Sequence, residues 1–318
     1  MMKREEKQII ATIAYYDELD YPLTVFEIGK HLTVIIEQDN SEQQKLSLAD
    51  VTNILDNKEL KNYIEEYQGF YFLKGRKGLV EKRLRRNKIA SLKIKKLRKI
   101  VWLLRFIPFI RMIGITGRLS MKNTRNDSDW DLFVVLKKGK IWTGRTLLTV
   151  FVHLIGKRRH GEKIKDRICL NYFITDESLK INISERSFEV NLFSAGEYSF
   201  MIPLFGFKAF RKFQIRNSWI KDFKPNYELS GIRSIRMVSD GHFSKALRKL
   251  GEKLLGFGFM ENFFRKLEME KIARNPKSHL PGSIIEANEE TLVFLPEPQG
   301  KEIYEKCRKK LVALGIYL

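Results

Sequence analysis

Two aspartates separated by one residue, Asp129 and Asp131, stand at the head of the apolar run Leu132-Phe-Val-Val135 in a chain whose formal charge is +21. Side chains of an extended strand alternate between faces, so both carboxylates project to one side and Trp130 to the other. Like charges held this close repel, and something positive is expected between them. Mg²⁺, or Mn²⁺ with similar ligand preferences, suits that place: it takes oxygen ligands and is usually held by one or two carboxylates together with substrate phosphates.

Several elements must position this pair. Phe109 to Thr116 reads as a strand that ends in a turn at Gly117, and a polar loop then leads to the aspartates and the strand Leu132 to Leu136. A helix is expected over Trp142 to Ile155, a basic loop over His160 to Arg167, and a third strand over Ile168 to Thr175. These alternating elements predict a mixed α/β (α+β) domain over residues 109–194 with the aspartates near its centre. Residues 195–318 read as a mostly helical C-terminal region broken at Asn275 to Ser283, with a strand at Thr291 to Leu295 and a terminal amphipathic helix from Lys301 to Leu314.

Upstream, residues 1–75 carry a helical pattern over 5–18, a short helix from about Val25 to Leu32, and, after a polar loop, a third helix whose start has a serine N-cap, Ser47, with Asp50 three residues on. Tyr67 to Leu73 follows as a strand after a turn. Three helices and a hairpin form a winged-helix-like pattern. Asp50, Asp56 and Glu59 offset Lys58 and Lys61 there, which favours packing or partner binding over reading DNA. Residues 76–108 form a basic connecting helix: from Lys74 to Arg105 there are fourteen Lys or Arg and one acid, Glu81. Its polar face is either simply solvated or a contact for phosphate or a membrane surface.

Composition bounds the function class. With 318 residues, 43% of them hydrophobic, the chain can bury a core, and its charge makes nucleic acid or another polyanion a plausible partner. Cys169 and Cys307 have no CxxC or Cys/His spacing, so a reduced, cytoplasmic protein without a zinc site is expected. No signal peptide or transmembrane segment is evident: the apolar run Val101 to Ile115 is short and interrupted by Arg105, Pro108 and Arg111. The five histidines show no metal-binding spacing. Trp219 and Phe223 read as core or interface aromatics, and Glu197 as an acid near a helix N-terminus.

Gly117-Arg118, ten intervening residues, then Asp129-Trp-Asp131 and Leu-Phe-Val-Val resembles the signature of the nucleotidyltransferase superfamily that includes DNA polymerase beta and the aminoglycoside nucleotidyltransferases. Tyr21-Pro-Leu-Thr, Ile168-Cys-Leu-Asn-Tyr-Phe and Trp219-Ile-Lys-Asp-Phe-Lys-Pro-Asn226 are similar to segments of nucleotidyltransferase-like proteins with an N-terminal helical module. The resemblance implies Mg²⁺- or Mn²⁺-dependent transfer of a nucleotidyl group from an NTP to a hydroxyl acceptor. Asp129 and Asp131 would be catalytic metal ligands, with Asn171 as a further ligand from the later strand. Gly117, Arg118, Ser120, Lys122 and Ser128 would contact nucleotide, the glycine turn letting backbone N–H groups approach phosphate. Lys122 and Arg125 either reach the polyphosphate or are solvated loop charges.

Two departures stand out. Arg118 follows the glycine where the family has serine or glycine, and the later strand offers Asn171 where a third carboxylate is usual; Asp166 and Asp176 flank that strand. Two functions therefore compete: a nucleotidyltransferase, and a catalytically degenerate relative that binds nucleic acid or a partner as a regulator.

Overall fold

The computed structural model describes residues 2–35, 45–229 and 237–317. The polar loop ahead of the third helix and residues 230–236 of the expected helical stretch fall mostly or wholly outside them.

The N-terminal elements are α1 (Arg4–Asp17), β1 (Leu23–Thr24), α2 (Val25–Lys30), α3 (Leu48–Leu55), β2 (Ile64–Tyr67) and β3 (Phe70–Leu73), and the strands pair in the order β1-β3-β2. The cap expected at Ser47 is present: its hydroxyl accepts from the Asp50 N–H while the Asp50 carboxylate accepts from the Ser47 N–H. The stretch expected as one strand from Tyr67 is a hairpin, because Gln68 and Gly69 both take positive φ and turn the chain.

The long helix α4 (Gly78–Leu104) leads into β4 (Ile110–Ile115), α5 (Gly117–Ser120), β5 (Trp130–Leu136), α6 (Ile141–Leu154), β6 (Ile168–Thr175) and α7 (Phe188–Ser199). Then come β7 (Ile202–Phe205), α8 (Phe207–Arg216), α9 (Ile220–Phe223), α10 (His242–Leu255), α11 (Gly258–Arg274), β8 (Ile284–Ala287), β9 (Thr291–Leu295) and α12 (Gly300–Ala313). Six strands form one mixed sheet in the order β7-β4-β5-β6-β9-β8; β4 and β5 are antiparallel, β5 and β6 parallel. The class is mixed α and β, as expected. The region expected to be mostly helical contributes three of these strands, so the sheet runs across residue 195. β7 and β8 are each four residues long, too short to impose a readable alternation.

Alternation along β5 divides the core. Trp130, Leu132, Val134 and Leu136 join Leu97, Val101 and Leu104 of α4 and Trp142, Leu148 and Val152 of α6. Phe133 and Val135 face the other way, into a cluster with α1 residues Ile9, Ile13 and Tyr16 and with Leu192 and Tyr198 of α7. Asp131 has the parity of Phe133, so it opens on the side where the N-terminal segment and α7 pack. Trp219 and Phe223 are buried in this second cluster, as expected for core aromatics.

The basic helix is more than a solvated rod. Arg83 pairs with Glu27 at 2.6 Å, Lys82 with Asp20 at 2.6 Å, and the buried Lys93 with Asp166 at 3.2 Å. Its inward cations thus tie the N-terminal segment to the loop that precedes β6.

Candidate functional site

The site begins where β4 ends. Gly117 takes φ +64°, and a Cβ placed there would lie 2.7 Å from Asp131 Oδ2. A side chain would be strained by the backbone and would meet the carboxylate, so glycine is required twice over. The Ser120 hydroxyl closes the turn by donating to the Gly117 carbonyl at 2.8 Å. Arg118 sends its guanidinium to the N-terminal segment, where Nη1 donates to the Leu19 carbonyl at 2.6 Å. Asn123 donates to the same carbonyl at 2.7 Å. Lys122 adopts a left-handed φ of 55° as the chain leaves α5.

The loop into β5 is pinned rather than open. The Ser128 hydroxyl accepts from the Arg125 N–H at 3.2 Å, and the Ser128 carbonyl accepts from Lys93 Nζ at 2.6 Å. Arg125 itself forms an exposed ion pair with Asp127 at 2.5 Å.

Across the sheet, Asp131 aligns with Cys169 while Phe133 aligns with Tyr172. Between these pairs one residue of β5, Leu132, opposes two of β6, Leu170 and Asn171, a bulge that places Asn171 at the irregular position. Ligand atoms of Asp129, Asp131 and Cys169 lie within 4.8 Å of one another. The strand thus sets Cys169 beside the aspartate, and Asn171, the further ligand that the resemblance implied, falls at the bulge instead. Neither flanking acid is free for the site: Asp166 is paired with Lys93 and Lys96, and Asp176 accepts from the Lys138 N–H at the far end of the strand.

A positive charge beside Asp129 is supplied by the chain itself. Arg159 Nη1 stands 2.6 Å from Asp129 Oδ2 and 3.6 Å from Cys169 Sγ. Its backbone is held there because the Arg159 N–H donates to the Ile168 carbonyl at 3.0 Å and the Ile168 N–H to the Lys157 carbonyl at 2.7 Å. Nothing in the basic run Lys157-Arg-Arg-His singled out this residue.

Burial raises the Asp131 carboxyl above the usual carboxylate range, and the charge of Asp129 adds to this, against Arg159 and the Cys169 thiol. Burial, then Asp131 and Asp129, pushes the Cys169 thiol up to about 12, so it is protonated at neutral pH. Glu197 shares the field: burial, then Asp131, raises its carboxyl to about 8, opposed by Arg118. It lies near the C-terminal end of α7 rather than at a helix N-terminus, since that helix begins earlier, at Phe188.

This donor set fits a hard cation through two carboxylates. A protonated thiol is a poor ligand for Mg²⁺ or Mn²⁺, and Arg159 must leave Asp129 for an ion to take its place. No family model, no curated protein and no solved structure matches this chain.

Proposed function

We propose that this chain is a metal-dependent nucleotidyltransferase that moves an NMP group from an NTP to a hydroxyl acceptor. The observation that carries the reading is the convergence of the Gly117 turn with the Asp129 and Asp131 carboxylates on one face of β5. The mixed sheet with the aspartates at the start of a central strand, and the element order of residues 1–75, are in keeping with that reading.

Asp129 and Asp131 would hold Mg²⁺ or Mn²⁺, which supplies charge neutralisation and polarisation of the phosphoryl group. Arg159, released from Asp129, then has a guanidinium to offer the phosphates. The turn at Gly117 leaves room for phosphate to approach the backbone. A reduced, cytoplasmic setting and an NTP substrate belong to the same reading.

One observation favours the alternative, a degenerate domain that binds nucleic acid or a partner: Arg159 already neutralises Asp129, and a thiol stands beside Asp131. Calorimetric titration with NTPs, with and without Mg²⁺ or Mn²⁺, separates the two. Metal-dependent binding that disappears in the Asp129→Asn/Asp131→Asn variant supports the enzyme. Absence of NTP binding by the folded wild type favours the regulator.

A further inference from the structure

Helix α10 docks by its polar side. Ser244 donates to Asp240 at 2.8 Å, Arg248 pairs with Asp240 at 2.6 Å and donates to the Arg105 carbonyl, and Glu252 pairs with Arg111 at 2.7 Å. Gly251 completes this side, since a Cβ there would meet Pro108 at 2.6 Å. Helix α11 is anchored similarly: Glu261 accepts the N–H groups of Trp142 and Thr143 at the start of α6, and Glu268 pairs with Arg145.

The apolar side is left outside. Phe243, Leu247, Leu250 and Leu254, spaced by four, three and four residues, form one stripe and are 74%, 43%, 53% and 61% exposed. Phe243 packs edge-on against Phe106, which packs edge-on against the half-exposed Trp102 of α4, so the stripe continues on to the end of the basic helix. Lys249 and Lys253, each about 100° round the helix from Leu250 and Leu254, stand exposed on the other flank of the stripe, the exposed Lys245 lies farther round toward the docked side, and the one acid of α10, Glu252, is turned inward. An exposed apolar stripe continuous with Phe106 and Trp102 marks an interaction surface.

We propose that this face lies on an anionic lipid bilayer, the stripe entering the acyl boundary and the lysines meeting the headgroups. The combination decides the partner. Nucleic-acid phosphates satisfy the lysines but provide no place for a Phe/Leu stripe. A second copy of the chain would oppose lysine rows of like charge. Phe, Trp and Leu beside a row of lysines, on a helix lying in the surface plane, is the pattern that binds charged membrane interfaces. None of this depends on the nucleotidyl-transfer reading.

The test is co-sedimentation of the full chain with vesicles of phosphatidylcholine alone and of phosphatidylcholine with about 30% phosphatidylglycerol, a composition that makes the surface anionic. Binding is expected to the anionic vesicles and to weaken with salt. Of the four tryptophans only Trp102 is substantially exposed, so its emission should move to the blue and be quenched by brominated lipid. Phe243→Ser/Leu247→Ser/Leu254→Ser should lower the partition coefficient about tenfold or more while the protein still unfolds cooperatively, its melting temperature reduced slightly by the lost Phe243–Phe106 contact and by serine in the helix. Lys245→Glu/Lys249→Glu/Lys253→Glu should remove the preference for anionic lipid. Three results would overturn the proposal: no vesicle binding at low salt, binding untouched by loss of the stripe, or a dimer in solution that the triple serine variant dissociates.

Discussion

The guanidinium of Arg159 and the carboxylate of Asp129 form a 2.6 Å ion pair at the mouth of the candidate site. Arg159 thus occupies the side of Asp129 that a divalent ion would approach. Its side chain is partly exposed, so the pair contributes modestly to stability and can be exchanged.

Arg159→Gln should therefore raise affinity for Mn²⁺ in the absence of nucleotide by about tenfold, the scale of one charge-assisted pair that no longer competes. Titration followed by the Mn²⁺ paramagnetic signal reads this directly. Unchanged affinity would mean that Arg159 does not stand in the ion's way.

Cys169→Asp places a third carboxylate at the register position opposite Asp131. Without divalent ions the variant should melt lower, by roughly 1–3 kcal/mol for a further charge in a part-buried acidic cluster. Saturating Mn²⁺ should recover most of that loss, and a melting temperature indifferent to the metal would count against a cation site here.

Arg118 ends on the Leu19 carbonyl and is largely buried, which makes it a tie to the N-terminal segment. Arg118→Ser should cost about 1–3 kcal/mol in urea unfolding, the range for a lost hydrogen bond from a charged donor. A variant of unchanged stability with increased NTP affinity would instead identify the arginine as an obstruction in the pocket.

Lys224 is buried, donates to Thr33 at 2.6 Å and to Tyr16 at 3.2 Å, and burial pushes its amine down to about 7. Between that value and its ordinary one the unfolded chain binds a proton that the folded chain does not, so stability rises with pH across this window. Below it both forms are protonated and the cost of burying the charge is fully present. Melting temperature should climb from pH 7 to about pH 9.5, before exposed tyrosines ionise in the unfolded chain. Lys224→Met should flatten the climb, and an equal slope in both proteins would show that the amine remains charged in the fold.

Local chemistry was readable along the chain. The Ser47/Asp50 cap, the long basic helix, the strands on either side of Gly117 and the shared face of Asp129 and Asp131 all follow from spacing, capping and alternation within a few residues. Alternation fails at β6, where Cys169 and Asn171 have the same parity but the bulge separates their roles. A bulge is set by how the neighbouring strand pairs, which no single strand encodes.

The reading of residues 195–273 as mostly helical likewise left open which side of α10 would dock. The ion pairs to Asp240 and Arg111 turn its polar side inward, and their partners lie outside the helix. What the sequence by itself determined was the Ser47 cap, the basic helix, the strands on either side of Gly117 and the pair of carboxylates, because those depend on neighbours in the chain. Tertiary structure alone decided that Arg159 meets Asp129, that Cys169 stands beside Asp131, and that a Phe/Leu stripe stays outside, because each depends on residues brought together from distant segments.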